Sequence, residues 1–486
     1  MNDQLSNLKP TNLWVNFQNL CKIPHPSKKE AQIIQFVKKF GEDLGLKTIV
    51  DEVGNVIIKK PATKGMENRK GIILQGHLDM VPQKNSDTKH DFEKDPILPY
   101  IDGEWVKAKG TTLGADNGMG VAATMAVLQS KDIEHGPIEA LFTIDEETGM
   151  AGAFGLKSGL LDGDILMNLD SEDEGELYVG CAGGTNANIT FHFSEVSVPS
   201  DAVALKLSVT GLKGGHSGVD IALERGNSNK ILFRILKYAA KELGLRIADI
   251  EGGSLRNAIP RESFATITIP KANADKFAKY LKDFEKIVIN ELSSVETSIK
   301  IEAVSTNLPS YLIDEKTQFN LINAVYGCPN GVIRMSQDMK GLVETSTNLA
   351  IVKSSKGIIE VMCLLRSSVD SAKEDLENMI ESIFKLAGAE VILTGQYPGW
   401  KPNMNSPILK TMSSIYQNKF GKVPDIKAIH AGLECGLLGG VYPKWDMISF
   451  GPTIRFPHSP DEKVNIDSVV KFWDFLVETL KNVPLK

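Results

Sequence analysis

Seven side chains have the types and spacing to hold metal ions and do work between them: His77, Asp79, Asp116, Glu146, Glu147, Asp170 and His458. His77 and Asp79 close the apolar run Ile72-Ile73-Leu74, which reads as a buried strand. Residues i and i+2 of a strand project to one face, so both can leave its end together. A neutral imidazole suits zinc, and a carboxylate beside it can fix its tautomer and orientation. Asp116 lies in Gly114-Ala115-Asp116-Asn117-Gly118 ahead of an apolar helix, where an N-cap is the ordinary use of aspartate. Asp145-Glu146-Glu147 ends another apolar strand; such a run is either a solvated turn or a set of charges whose repulsion favours a bound cation. Asp170 ends a third strand, and His458 sits between Pro457 and Pro460, where a surface histidine is the ordinary reading. Together they suffice for two divalent ions that share a bridging carboxylate, each with one histidine. Mixed His/carboxylate ligation suits zinc, with cobalt or manganese as substitutes. Ions roughly 3.5–4 Å apart can polarise a carbonyl and hold a bridging hydroxide. One of Glu146 and Glu147 then stays unligated as general base, and spacing leaves open which.

The elements that must position these groups are legible in outline. The periodicity predicts a helix over 28–44, a strand pair over 48–59 with a turn at Gly54-Asn55, a polar loop over 83–103 and a helix over 121–129. Apolar runs at 138–144 and 165–169 read as strands. In open α/β sheets ligands bind at the carboxyl ends of the strands, where these carboxylates stand. After Gly183-Gly184 the texture changes. Over 186–397 strands and helices alternate as a separate unit, with Gly214-Gly215-His216-Ser217-Gly218 after one strand, helices over 227–243, 272–292 and 372–387, and a hairpin over 349–365. Asn257-Ala258-Ile259 and Asn348-Leu349-Ala350-Ile351 sit at comparable places, a sign of internal duplication. From Tyr397 the chain returns to the first domain, with a helix over 406–420 and strands over 426–430 and 447–450. The domains expected are therefore 1–185 and 398–486 together, with 186–397 inserted.

Composition bounds the rest. A chain of 486 residues, 42% hydrophobic and 24% charged, is expected to be globular with two or three domains. A net charge of -7 offers nucleic acid or an anionic membrane no attraction. No window has the roughly 18 apolar residues of a membrane span, and no signal-peptide core is present. The five cysteines are scattered and never paired as CxxC, which fits reduced thiols in a cytoplasm.

In order, GHLDMV, GADNGMG, DEETGM, NLDSED, GGHSG and PHSPDE resemble the dinuclear zinc exopeptidases that include acylases, carnosinases and bacterial dipeptidases. TTLGADNGMG, the long middle segment and HAGLECG narrow the resemblance to dipeptidases of the Xaa-His type. The resemblance implies an α/β metallopeptidase core with a mixed central sheet and helices on both faces, plus an inserted α+β lid. It implies two Zn2+ per chain: His77 and Asp170 on one, Glu147 and His458 on the other, Asp116 bridging. Asp79 would orient His77, Glu146 would be the base, and His216 would stabilise the oxyanion. Asn257 and Arg366 match substrate-contacting lid positions, Arg366 suiting a free carboxylate; Gly432 and Glu434 would line the pocket. In single-lid relatives the arginine follows the NxIP element, whereas here Thr268-Ile269-Pro270 stands in its place and Arg366 lies in the second half. The implied substrates are small dipeptides, with lid closure excluding longer ones, and the lid's sheet could pair across a two-fold in a homodimer. The alternatives are an N-acyl amino acid deacylase on the same scaffold, or a metal- or ligand-binding protein without catalysis.

Overall fold

A computed structural model describes residues 3–486, which form two compact units. One comprises the chain up to Gly180 with Pro402–Ala428 and Leu433–Lys486; the other comprises Cys181–Lys401 and Ile429–Gly432. Among the described residues no helix is long and apolar enough to cross a membrane.

The first unit is built on an eight-stranded mixed sheet. Ile72–His77, Ile138–Thr143 and Ile165–Asn168 are buried at every residue. Runs of apolar residues without alternation are what parallel strands covered on both faces require. Ile72–His77 pairs in parallel with both neighbours, His77 opposite Thr143 and Gln75 opposite Asn168. Parallel register brings the carboxyl ends of these strands together, so the segments after them emerge side by side. Asp446–Ser449 extends the parallel part beside Ile165–Asn168. The antiparallel hairpin Lys47–Val50 and Val56–Lys60 finishes one edge. Its turn is held by Asp51, whose Oδ1 accepts the N–H groups of Val53, Gly54 and Asn55. Helix Ala115–Gln129 packs on Ile72–His77 and on helix Thr11–Cys21. Two expectations need correction. The 83–103 segment is not all loop: Pro99–Asp102 pairs with Trp105–Ala108, because Gly103, at φ 60°, makes a tight turn that the polar composition concealed. The helix expected from 121 starts earlier: helix Ala115–Gln129 departs from helical backbone at Asp116 and Asn117 and is regular from Gly118.

The second unit is a duplicated α+β fold on one nine-stranded sheet. In one repeat the strands Ala202–Thr210, Arg246–Gly252, Ser263–Pro270 and Lys300–Ser305, taken as one to four, lie in the order 4-1-3-2, with helices Ser228–Leu243 and Ala274–Glu291 after the first and third. The other repeat uses Gly183–His192, Val343–Ser355, Ile358–Ser367 and Glu390–Tyr397 in the same order, with Glu315–Gly327 and Asp370–Leu386 as helices. The first repeat is inserted after the first strand of the second. Their second strands join antiparallel at Glu251 opposite Lys353 and Gly252 opposite Val352. Alternate strand residues such as Leu207, Ile247, Ile267, Val361 and Ile189 share one core with Leu232, Phe284, Leu321 and Phe384 of the helices. The duplication is thus real, but the two asparagine segments do not mark it. Asn348 lies on a second strand, whereas Asn257 lies in the link between second and third. Asn348 Nδ2 instead donates across the repeats to the carbonyls of Arg256 (3.1 Å) and Ala258 (2.8 Å).

Candidate active site and metal centre

At the strand ends of the first unit, one carboxylate stands between two histidines. Asp116 Oδ1 is 3.1 Å from His77 Nε2, and its Oδ2 is 3.2 Å from His458 Nε2. Each histidine has a second acid: Asp170 Oδ1 at 3.5 Å from His77 Nε2, and Glu147 Oε2 at 2.9 Å from His458 Nε2. Donors about 2.0–2.1 Å from a tetrahedral ion stand roughly 3.3 Å from one another, so these spacings suit ligands sharing an ion. His77, Asp116 and Asp170 form one group able to hold an ion, and Asp116, Glu147 and His458 a second; Glu146 forms a further group with His77 and Glu147.

Local chemistry places each donor. His77 Nδ1 lies 3.0 Å from the Asp79 carbonyl and 3.3 Å from Asp79 Oδ1, which puts its proton on Nδ1 and frees Nε2. The Asp79 carboxylate also accepts the N–H groups of Glu146 (3.0 Å) and Glu147 (3.2 Å) and the Ser27 hydroxyl (2.8 Å). Glu30 accepts the N–H of Asp145 at 3.1 Å. Gly76 is required because a Cβ there would stand 2.1 Å from Asn117 Oδ1; Asn117 Nδ2 in turn donates to the Leu169 carbonyl at 2.7 Å. The aspartate of GADNG is not a helix cap: Gly114, in the left-handed region, precedes the helix without a local side-chain cap, and the N–H groups there go to Glu462.

The electrostatics call for cations. Burial opposes charge on His77, yet Asp170, Asp116 and Asp79 raise its pKa well above the ordinary value. Asp116 and Glu147 push His458 up to about 11. Burial pushes Asp170 up to about 7, against the pull of His77. Burial also resists ionisation of Asp79, but His77 and the backbone donors bring it to about 2. Buried Glu147 Oε1 and Asp170 Oδ1 make no hydrogen bond. Each acid faces a single histidine, and a divalent cation would take up the lone pairs left over. The donor set therefore fits two metal ions.

The second unit gathers its own candidates around Gly218. A Cβ at that glycine would lie 2.2 Å from the His430 carbonyl, 3.1 Å from His216 Cε1 and 3.3 Å from Arg366 Nε. His216 Nδ1 accepts the N–H groups of Gly218 and Val219, both at 3.1 Å, so the ring carries its proton on Nε2. Burial and the Arg366 charge lower its pKa. The exposed Asn257 holds the same loop through its carbonyl, which accepts the Ser217 N–H at 2.8 Å. Arg366 is 6% exposed, its Nε makes no hydrogen bond and its Nη1 lies 3.5 Å from Tyr397 Oη. No carboxylate pairs with it among the described residues. Gly432 lies against the Tyr397 ring.

His430 was not singled out in the sequence, although it opens the HAGLECG segment. Its Nε2 is 2.7 Å from Ser346 Oγ; burial and the Arg366 charge, with His216 beyond, lower its pKa to about 3 from an ordinary 6.5. Between those values the unfolded chain binds a proton that the folded chain refuses, so stability rises with pH across the window. Denaturation measured from pH about 4 to 6 is expected to show a slope smaller by up to about 1.4 kcal/mol per pH unit in His430→Asn than in wild type. An unchanged slope would show that His430 protonates freely in the fold.

Glu434 belongs to the first unit and is buried. Its Oε2 accepts from Gln75 Nε2 (2.6 Å) and Thr143 Oγ1 (2.8 Å), and its Oε1 makes no hydrogen bond. It lies beneath the strand that carries His77. Glu462 and Ser27 were missed as well; their partners are distant in sequence, and only the adjacency of Glu462 to the PHSP motif marks it.

An open α/β sheet whose strand ends gather linked His/carboxylate groups defines a metal-dependent hydrolase. The profile of peptidase family M20/M25/M40 matches residues 73–482, and the chain belongs to that family of peptide-bond hydrolases. It is 49% identical to the cytosol non-specific dipeptidase of Escherichia coli over 99% of this chain and 100% of that one. It resembles the crystal structure of aminoacylhistidine dipeptidase from Vibrio alginolyticus with a TM-score of 0.96 and 50% identity, covering 100% of this chain and 99% of that one. The aminopeptidase PepT of Bacillus cereus shares the fold at 18% identity and a TM-score of 0.58, over 98% and 99% of the two chains.

Proposed function

We propose that the chain is a dinuclear zinc dipeptidase acting on small dipeptides, with preference for Xaa-His, and that it works in the cytoplasm. The observation that carries the reading is the division of the two Asp116 oxygens between His77 and His458. His77 and Asp170 would hold one ion, Glu147 and His458 the other, and Asp116 both. Zn2+ bound there supplies Lewis acidity toward the scissile carbonyl and makes a water acidic near neutral pH.

The chain's own groups do the rest. Glu146 lies just before Glu147, beyond the strand that ends at Thr143; it makes no ion pair with either histidine, and burial raises its pKa well above the ordinary value against the pull of His77. A carboxylate so raised is a stronger base; it takes the proton of the attacking water and passes it to the leaving amine. His216, neutral with its proton on Nε2, donates to the developing oxyanion. Arg366 binds the substrate's free carboxylate in its planar fork; Asn257 and Gly432 contact the substrate near it. Glu434 supports the strand end from below. The second unit acts as the lid. The preference for histidine is supported by the likeness to the Vibrio protein, named for aminoacylhistidine, and the cytoplasmic setting by the likeness to the Escherichia coli protein, named as a cytosol non-specific dipeptidase.

The test is hydrolysis of β-Ala-His, Gly-His, Ala-Ala and an N-acetyl amino acid by metal-free and zinc-loaded protein. Zinc-dependent cleavage of the dipeptides, fastest for those ending in histidine, is expected. Cleavage of the N-acetyl compound alone would make the chain a deacylase, and no turnover with two metals bound would overturn the dipeptidase reading.

A further inference from the structure

We infer that Glu462 is a positioning residue of the metal centre: one carboxylate that sets Asp116 and His458 relative to each other. The inference rests on the metal-site reading above. Glu462 is 2% exposed. Its Oε2 accepts the N–H groups of Leu113 (2.7 Å) and Gly114 (3.0 Å), and its Oε1 those of Ala115 (2.8 Å) and Asp116 (3.2 Å). These donors belong to the turn that leads into helix Ala115–Gln129: Leu113 and Gly114 precede the helix, which has no side-chain cap at Gly114, and the backbone leaves the helical region at Asp116 and Asn117. Successive backbone N–H groups that converge in such a turn form a concavity that suits an anionic acceptor.

The same residue ends the loop that carries His458. That loop leaves Ile454–Arg455 and returns in Lys463–Asn465, which pair with each other. Between them Phe456 and His458 both have left-handed backbones, at φ 56° and 58°. Non-glycine residues keep that conformation only where surrounding structure imposes it. The Glu462 N–H donates to the Ser459 carbonyl at 3.0 Å, and its side chain ties the loop to the Asp116 turn. Both ligand-bearing turns are thus fixed to one carboxylate, although neither metal-binding group touches it. In Glu462→Gln one oxygen becomes an NH2 that faces two N–H donors, so the tie loosens without loss of volume.

Groups that orient metal ligands typically change metal affinity about 10–100-fold when altered. Zinc binding is measured by chelator competition on wild type, Glu462→Gln and Glu462→Asp, with melting curves of each metal-free protein. Wild type is expected to bind two ions, and both variants to need about 10–100-fold more free zinc for the second. At saturating zinc, kcat should recover toward wild type with KM unchanged. Wild-type zinc affinity in both variants, with only the metal-free Tm lowered, would reduce Glu462 to a helix cap and overturn the inference. Failure of both variants to fold would do the same. A wild-type protein that binds no zinc would instead remove the metal-site reading itself.

Discussion

Glu146→Gln is expected to lower kcat by about 10²–10⁴-fold, the usual contribution of a positioned acid–base group, while the protein keeps its metal. The neighbouring Glu147→Gln is expected to lose activity through loss of metal. The two differ in their surroundings. Glu147 Oε2 stands 2.9 Å from His458 Nε2 and shares a candidate ion with Asp116. Glu146 is held by its backbone N–H on Asp79, and burial together with Asp170, Glu434 and Glu147 keeps its carboxyl basic against His77. Because Glu146 can also join His77 and Glu147 in a ligand group, zinc content decides the matter. Metal analysis of both variants beside kcat is the measurement. If Glu146→Gln lost an ion and Glu147→Gln kept both, the roles would have to be exchanged.

The parts legible in the sequence are those governed by local physics. The apolar runs before His77, Asp145 and Asp170 read as buried strands because parallel strands covered on both faces need no polar alternation, and the structure buries each of them. What stayed hidden depends on contacts far apart in the chain. Asp116 taken alone read more readily as a cap than as a ligand, since the carboxylate that takes up its N–H, Glu462, is 346 residues away. Glu434 read as a pocket loop, yet it starts helix Glu434–Val441 and sends its carboxylate to Gln75 and Thr143. The duplication showed in the alternation of elements. Its correspondence did not, because strand order in the sheet, rather than a shared Asn-x-x-Ile spacing, defines equivalent positions.

Arg366→Ala is expected to lower kcat/KM for dipeptides by roughly 10²–10³-fold, in line with the about 2–5 kcal/mol measured when one partner of a buried charge pair is removed. The basis is an imbalance within the second unit. Arg366 is buried with its Nε unbonded, and its neighbours are His216, His430 and Tyr397, none of which brings a negative charge. A buried guanidinium without a counter-ion is costly, and a planar carboxylate is the anion its fork fits best. Loss of rate alone would not separate carboxylate binding from a general disturbance, so the informative quantity is a ratio. Wild type should prefer a dipeptide to its C-terminal amide by a factor close to the loss in Arg366→Ala, and the variant should treat the two alike. Arg366→Lys keeps the charge without the bidentate geometry and should fall between. If Arg366→Ala slowed both substrates equally and left the ratio intact, the substrate carboxylate would have to be bound elsewhere, and Arg366 would serve to hold the His216 and His430 loops.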